Sequence, residues 1–259
     1  MPVLGLGVFQ SAPGEPTRRA VRAALSAGYR LIDTARLYEN EADVGQAIRE
    51  SGVPRKEVFV TTKLWNTDHG FDRALAAFDR SLSALGSDYV DLYLIHWPSG
   101  GDRAESWRAL RRILSEGRCR AIGVSNYTIA HLRELMQHSD VPPAVNQVEF
   151  SPFLYQRELL EFARGQGIQL EAYAPLTRAR RISEPALSHI SKAHGKTATQ
   201  VMLRWSLQHG VIPIPKSVHP ERIRENAELF DFVLTDEEMG AIDRLHDGFR
   251  TSWDPTGIP

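Results

Sequence analysis

The chain has 259 residues, of which 42% are hydrophobic, 24% charged and 8% aromatic. This composition is typical of a globular protein that buries a core, and it excludes a disordered chain. With 31 basic and 32 acidic residues, the net charge of -1 creates no overall field that attracts nucleic acid or anionic lipid. We therefore expect neither as a partner, and any anion site must be local.

Cysteine content and hydropathy bear on the compartment. The single cysteine, Cys119, excludes intramolecular disulfides and cysteine-based zinc clusters, which fits a reducing cytoplasm. No apolar run reaches the roughly 18 residues of a membrane span, and the first residues lack the charged start and apolar stretch of a signal peptide. We expect a cytoplasmic protein with no membrane partner.

Short apolar runs alternate with stretches of helical periodicity along the whole chain. Eight runs rich in β-branched residues predict strands over residues 3–9, 29–32, 58–62, 90–95, 119–124, 144–148, 168–173 and 211–214. Strands that alternate with helices pair in parallel, and eight units of about 30 residues match the usual length of about 250 residues for a (β/α)8 barrel. We predict a single α/β TIM-barrel domain over residues 1–259.

The end of the chain departs from this repeat. Thr235 and Glu238 have the spacing of a capping box, which predicts an extra C-terminal helix over residues 236–245. Residues 247–259 are rich in turn-forming residues and predict a loop or tail. An open doubly wound sheet is the alternative fold, but its glycine fingerprint requires a third glycine where Gln10 stands.

Reactive side chains follow three successive predicted strands, at the end of a barrel where enzymes have their active sites. Asp33, Lys63 and His96 each follow an apolar run, and Tyr38 lies in the loop after Asp33. Each has a purely structural alternative. Asp33 could cap a helix, Lys63 could be solvated, His96 could be a core histidine, and Tyr38 could be a half-buried aromatic residue. Because packing alone does not account for all four at one barrel mouth, their joint position favours an active site.

These four side chains form a coherent proton donor. A free phenol has a pKa of about 10, so Tyr38 holds its proton at neutral pH and can release it if the Lys63 ammonium stabilises the phenolate. Asp33 would keep Lys63 charged, and His96 could donate a hydrogen bond to a carbonyl oxygen. Such a site suits protonation of a carbonyl during hydride transfer. Since no side chain delivers hydride, a nicotinamide or flavin is implied.

Five motifs make the chain resemble the aldo-keto reductase family over most of its length. They are DTAxxYxNE at 33–41, TKLW at 62–65, DLYLIHWP at 91–98, GVSNY at 123–127 and IPKS at 214–217. The resemblance implies reversible, NADPH-dependent reduction of aldehydes and ketones to alcohols. It makes Asp33, Tyr38, Lys63 and His96 the catalytic residues, with Tyr38 as general acid in reduction and general base in oxidation.

The resemblance also implies a cofactor site. Lys216 and Arg222 would bind the 2′-phosphate of NADPH, since a phosphate monoester suits a pair of cations. Asn226 would bind the adenine, and Tyr173 would stack on the nicotinamide ring. The nicotinamide carboxamide would be held by Ser125, Asn126 and Gln147. Two further residues, Leu176 and Ser217, complete the predicted cofactor site. Residues 177–181 are basic, and they either pass near the pyrophosphate or face water.

Aromatic residues near the strand ends and in the tail suggest an apolar substrate pocket. They are Phe9, Trp65, Trp97 and Trp253, and core packing is the alternative for each. Family members often have tryptophan at the position of Phe9, so we expect the pocket to differ in width there. The short loop after Pro98 and the short tail resemble bacterial reductases of sugar-derived and other small dicarbonyls, such as the diketogluconate reductases.

Two other function classes stay open. A lysine in a barrel lumen near an aspartate can form a Schiff base, so Lys63 could serve a lyase or aldolase. A non-catalytic NADPH-binding sensor or structural barrel is the other alternative. GVSNY lacks the second glycine of a nucleophile elbow, and no histidine pair has metal-binding spacing, so we expect neither acyl-enzyme hydrolysis nor a metal. We expect a monomer that acts on a small-molecule carbonyl substrate.

The N-terminus is short for this family. Members usually have a β-hairpin before the first barrel strand, whereas here Met1 is almost directly followed by the predicted strand. We therefore expect a short stretch to be absent there, which would expose the floor of the barrel and not its catalytic rim.

Overall fold

Eight parallel strands form one sheet in the computed structural model of the protein, which describes residues 1–99 and 102–258. Each strand pairs with its neighbours in chain order. Their bounds are β1 (Leu6–Gly7), β2 (Leu31–Asp33), β3 (Phe59–Leu64), β4 (Val90–Ile95), β5 (Cys119–Ser125), β6 (Val145–Glu149), β7 (Gln169–Tyr173) and β8 (Ile212–Pro213). The predicted (β/α)8 fold is confirmed.

The first and last strands close the sheet through backbone contacts. Gly5 N donates to Pro213 O at 3.1 Å, and Gly7 N donates to Pro215 O at 3.2 Å. A Cβ atom on Gly7 would lie 3.0 Å from the Ile214 carbonyl oxygen, so glycine permits this close approach. Pro213 and Pro215 offer carbonyls but no N–H groups, so few backbone hydrogen bonds can form at this junction.

Helices cover the outside of the sheet. They are α1 (Glu15–Ser26), α2 (Glu41–Glu50), α3 (Phe71–Leu85), α4 (Arg103–Ser115), α5 (Ile129–Gln137), α6 (Arg157–Gly165), α7 (Pro185–His194), α8 (Ala198–Gln208), α9 (Pro220–Glu225) and α10 (Asp236–Asp243). All six residues of β4 are buried, as expected for a parallel strand covered on both faces. The main core lies between the sheet and these helices.

Several predicted boundaries were wrong. The first predicted strand, 3–9, shortens to β1, and Lys63 lies within β3 instead of after it. The predicted C-terminal helix begins after Thr235, whose side chain forms the expected capping box with Glu238, but it ends at Asp243. Two helices, α7 and α8, separate β7 from β8, and the additional one was not predicted.

The two ends of the barrel differ in chemistry. At the N-terminal ends of the strands lies a cavity of about 930 Å³, whose lining includes Met1, Val3, Phe59, Ile212 and Phe230. Val3 is 53% exposed and Phe230 is 60% exposed, so this floor presents apolar surface to solvent. The titratable side chains predicted to be catalytic lie at the other end. No helix in the described part of the chain is long and apolar enough to cross a membrane.

Candidate active site

A cavity of about 1090 Å³ lies at the C-terminal ends of the strands. Every residue predicted for the catalytic, cofactor or substrate site lines it, with one exception. The exception is Lys63, which is fully buried behind Asp33 and Tyr38. The structure therefore brings the predicted residues to one place, although they come from positions 9 to 253 of the chain.

Lys63 is the centre of a buried hydrogen-bond network. Its Nζ donates to both Asp33 oxygens, at 2.6 and 2.8 Å, and to Thr34 O at 2.9 Å. It also lies 3.4 Å from the Tyr38 hydroxyl oxygen, to which it donates. Because Lys63 is the donor in that contact, the phenolic proton of Tyr38 stays free to be donated into the cavity.

The loop that carries Tyr38 is held by Asn40. Tyr38 ends a single turn of 3-10 helix over Arg36–Tyr38, and Glu39 then adopts a left-handed conformation with φ of 57°. Asn40 accepts from Thr34 Oγ1 at 2.8 Å and donates from Nδ2 to Val8 O at 3.0 Å. These buried contacts join the Tyr38 loop to the ends of β1 and β2, which positions the hydroxyl above Lys63.

Burial and neighbouring charge set the protonation of this network. Burial raises the pKa of Tyr38 to about 12, although the Lys63 ammonium acts in the opposite direction. Burial alone would lower the pKa of Lys63, but the Asp33 carboxylate, together with the neighbouring Tyr38 and Glu171, more than offsets this and raises it. At neutral pH Tyr38 is therefore a neutral phenol and Lys63 is an ammonium ion.

His96 faces Tyr38 across the cavity. Its ring lies 5.6 Å from the Tyr38 ring and 5.2 Å from the Trp65 ring, centroid to centroid, with edge-on geometry in both pairs. Burial, assisted by the Lys63 charge, holds the pKa of His96 well below its usual range. Its Nδ1 is buried with no partner in the described residues, which leaves Nε2 as the ring nitrogen that can serve a ligand. His96 is therefore suited to donate a hydrogen bond as a neutral ring.

Amide and hydroxyl groups from β5, β6 and β7 form the next part of the wall. The Tyr173 hydroxyl donates to Asn126 Oδ1 at 2.8 Å, and Asn126 Nδ2 donates to His96 O at 3.0 Å. Ser125 Oγ donates to Gln147 O at 2.8 Å. The Gln147 amide reaches Asp33, with 2.7 Å between Nε2 and Oδ2. This polar wall is continuous with the Lys63 network.

The far end of the cavity is cationic. Lys216 and Arg222 are exposed, and neither makes an ion pair with any residue that the structure describes. Asn226 is buried beside them on the end of α9. Glu225 is not free, because it accepts hydrogen bonds from the hydroxyls of Thr197 and Thr199. Two unpaired cations at one end of a long cavity suit an anionic group.

The residues of the predicted aromatic wall make ring contacts with one another and with the catalytic candidates. Phe9 lies 4.9 Å from Tyr38 and Trp97 lies 5.3 Å from Trp253, measured between ring centroids. Trp253 is 67% exposed, so it covers the cavity from the solvent side. The basic residues of the stretch 177–181 have two different environments. Arg178 lines the cavity, whereas Arg181 forms an ion pair with Asp247 at 2.9 Å.

Comparison with known proteins identifies the family. Residues 3–247 match the sequence model of the aldo/keto reductase family. The chain belongs to this family. Glyoxal reductase of Bacillus subtilis (strain 168) is 49% identical, and the alignment covers 98% of this chain and 92% of that protein. The uncharacterized oxidoreductase YtbE of the same organism is 50% identical with the same coverage.

Solved structures of aldo-keto reductases superpose closely on this one. The deep-sea metagenome aldo-keto reductase MGS-M4 matches with a TM-score of 0.96 and 44% identity, over 100% of this chain and 96% of that one. A Bombyx mori aldo-keto reductase in complex with NADP matches with a TM-score of 0.91 and 37% identity, over 96% and 91% of the two chains.

Two buried glutamates of this aldo/keto reductase were missed by the sequence reasoning. Glu171 lies inside β7 and approaches Gln147, with 2.6 Å between Oε2 and Nε2. Glu149 ends β6 and accepts from Thr251 N, Thr251 Oγ1 and Ser252 N at 2.6, 2.7 and 3.0 Å. A glutamate within an apolar predicted strand was the available signal for Glu171. Glu149 follows its predicted strand by one residue, as the catalytic candidates do.

Proposed function

We propose that this protein is an NADPH-dependent carbonyl reductase that converts small aldehydes and ketones to alcohols. The buried Asp33–Lys63–Tyr38 network carries this proposal, because it ends in a free phenolic proton that faces His96 across an aromatic cavity. Membership of the aldo/keto reductase family and the similarity to a glyoxal reductase support it.

The residues that line the cavity fit nicotinamide adenine dinucleotide phosphate. Lys216 and Arg222 offer unpaired cations for a phosphate monoester, and Asn226 offers an amide for the adenine. At the other end, Ser125, Asn126 and Gln147 offer polar groups for the carboxamide. Tyr173 provides a ring for stacking, and Leu176 and Ser217 complete the site. When bound, the reduced nicotinamide supplies the hydride that reduces the carbonyl carbon.

The protein supplies the proton and positions the carbonyl oxygen. Tyr38 donates its phenolic proton to that oxygen as negative charge develops on it, and Lys63 stabilises the phenolate that remains. Asp33 keeps Lys63 charged and oriented. His96 donates a hydrogen bond from its neutral ring to the same oxygen. In the oxidation direction, the phenolate accepts the alcohol proton.

The cavity walls select the substrate class. Phe9, Trp65, Trp97 and Trp253 form an apolar surface beside the proton donor, which suits aldehydes and ketones without a large polar body. We infer that small dicarbonyls are good substrates, since a second carbonyl makes the reacting carbon more electrophilic. The glyoxal reductase relative supports this inference.

Asp33, Tyr38, Lys63 and His96 all belong to this chain, so the proposed proton transfer requires no residue from a second copy. We propose that the enzyme works as a monomer in the cytoplasm, and the single cysteine supports a reducing compartment. Size-exclusion chromatography with light scattering at working concentration should give the mass of one chain.

A substrate screen tests the function. NADPH consumption, followed by its absorbance, is expected with phenylglyoxal or another activated aldehyde, and not with a lyase substrate. Covalent trapping of a carbonyl compound on Lys63 by borohydride would support the Schiff-base alternative instead. Tight NADPH binding without turnover of any carbonyl would support the sensor alternative.

A further inference from the structure

The Gln147 side chain lies between two carboxyl groups. Its Nε2 is 2.7 Å from Asp33 Oδ2 and 2.6 Å from Glu171 Oε2, and all three side chains are buried. Gln147 and Glu171 are direct partners in the register of β6 and β7, which places them side by side on the same face of the sheet. The arrangement uses both hydrogens of the glutamine amide.

Asp33 fixes which end of the amide points inward. Because both Asp33 oxygens accept from the Lys63 ammonium, Asp33 is an ion-paired carboxylate, and the Gln147 atom in contact with it must be the donor nitrogen. The amide oxygen of Gln147 is then the polar atom left for the cavity that this residue lines. Such an oxygen accepts hydrogen bonds and cannot donate them.

Glu171 accepts the second N–H of the Gln147 amide. If the Glu171 carboxyl were absent, one N–H of Gln147 would lack its acceptor in a buried environment, and the side chain could turn to find another. Glu171 Oε1 is itself buried with no partner in the described residues, which favours a neutral carboxylic acid over a buried charge. In keeping with this, burial and the nearby Asp33 carboxylate raise the pKa of Glu171 to about 8.

We propose that Glu171 is a positioning residue for the carboxamide site, which holds the Gln147 amide with its oxygen toward the cavity. This inference rests on the proposed function, in which Gln147 contacts the nicotinamide carboxamide. The NH2 of the carboxamide is a donor that matches the presented oxygen. Glu171 therefore favours a carboxamide over a group of the same shape that has no N–H.

The acetylpyridine analogue of NADPH tests this proposal, because a methyl ketone replaces its carboxamide and removes the N–H donors. Dissociation constants for NADPH and for the reduced analogue are measured by quenching of tryptophan fluorescence, which requires no turnover. We expect the wild type to bind NADPH about tenfold more tightly than the analogue. This ratio should fall to about two in Glu171→Met, and it should be restored in Glu171→Gln, whose amide oxygen still accepts from Gln147.

Ile212→Val is the matched control, since Ile212 pairs with Glu171 on β8 and has no polar group. It should leave the ratio at the wild-type value. An unchanged ratio in Glu171→Met would overturn the role of Glu171, and a wild type that binds both cofactors equally would overturn it as well. If Glu171→Met does not fold, Glu171→Ala provides the same comparison. A wild type that binds NADPH with the expected preference but reduces no carbonyl would contradict the proposed function alone.

Discussion

Burial decides the charge of the side chains at the candidate site. Lys63 keeps its charge because Asp33 accompanies it, whereas His96 and Glu171 lack a compensating charge of their own and favour their neutral forms. The position of His96 after an apolar run was visible in the sequence. The contact between Gln147 and Glu171 was not, because residues that are 24 positions apart meet only through the register of β6 and β7.

Glu171 should make stability depend on pH in a definite direction. Its folded-state pKa of about 8 lies above the ordinary carboxyl value of 4.5, so the folded protein binds the extra proton between these values. Stability from this group is complete below the ordinary value and decreases as pH rises toward 8. From about pH 6 to about pH 8, wild type should lose about 2 kcal/mol of unfolding free energy relative to Glu171→Gln.

Urea denaturation of the wild type and Glu171→Gln at both pH values measures this difference. Glu158→Gln, which changes an exposed glutamate on α6, serves as the control and should follow the wild type. Parallel pH dependence of the wild type and Glu171→Gln would show that the Glu171 carboxyl titrates normally.

Lys216 and Arg222 should determine the choice between NADPH and NADH. Lys216→Gln or Arg222→Gln removes a cation that faces the proposed 2′-phosphate, at a cost of about 1–3 kcal/mol for each charge-assisted contact. NADPH affinity should therefore fall about fivefold or more, with little change for NADH. Fluorescence titration with both cofactors measures this. Arg224→Gln, on the same helix but outside the cavity lining, is the control. Equal losses for both cofactors would refute the assignment.

At the scale of elements, the positions of the eight strands could be predicted, but contacts between helices could not. Apolar runs mark the strands because parallel strands are buried on both faces. In contrast, α2 crosses the end of α3 so closely that a Cβ atom on Gly45 would lie 1.9 Å from the Leu85 carbonyl oxygen. Gly45 occurs within a helical pattern, where glycine alone does not reveal which neighbour approaches it.

Gly45→Ala should destabilise the protein even though alanine favours helices. The added methyl group must displace the Leu85 backbone, and such overpacking costs about 1–3 kcal/mol. Gly240→Ala in α10 is the matched control, since the nearest atom is the Arg244 side chain at an ordinary 3.6 Å. We expect that change to be neutral or stabilising by up to about 1 kcal/mol. Chemical denaturation of both variants measures the contrast, and equal stabilities would contradict the close packing.

Glu149 should control how firmly the C-terminal tail covers the cavity. It accepts two backbone N–H groups and one hydroxyl from Thr251 and Ser252, next to the exposed Trp253. We expect Glu149→Ala to raise the KM of a bulky aromatic aldehyde about tenfold, with a smaller effect on a small dicarbonyl, because the Trp253 wall is loosened. Steady-state kinetics with both substrates measures this. Similar effects on both KM values would argue against a selective role for the tail.

For the molecule as a whole, the sequence predicted the barrel, the rim that carries the chemistry and the family, since these depend on local patterns and motifs. It did not predict the short closing strands, the second helix between β7 and β8, or the buried glutamates Glu149 and Glu171, which depend on contacts between distant segments. The near-zero net charge also has a consequence for cofactor binding. With no overall field, attraction of an anionic cofactor depends on a few cations, foremost Lys216 and Arg222, which form no ion pair within the described part of the chain.

The central claim is that the Tyr38 hydroxyl delivers the proton during carbonyl reduction. Tyr38→Phe removes only that hydroxyl, and Tyr29→Phe is the control, because the Tyr29 hydroxyl contacts Ile223 O and does not line the cavity. The decisive measurement is kcat for an activated aldehyde with saturating NADPH, together with the NADPH dissociation constant. We predict that Tyr38→Phe lowers kcat by about a thousandfold with NADPH affinity within about threefold of wild type. A Tyr38→Phe enzyme that retains more than about a tenth of the wild-type kcat would contradict the account.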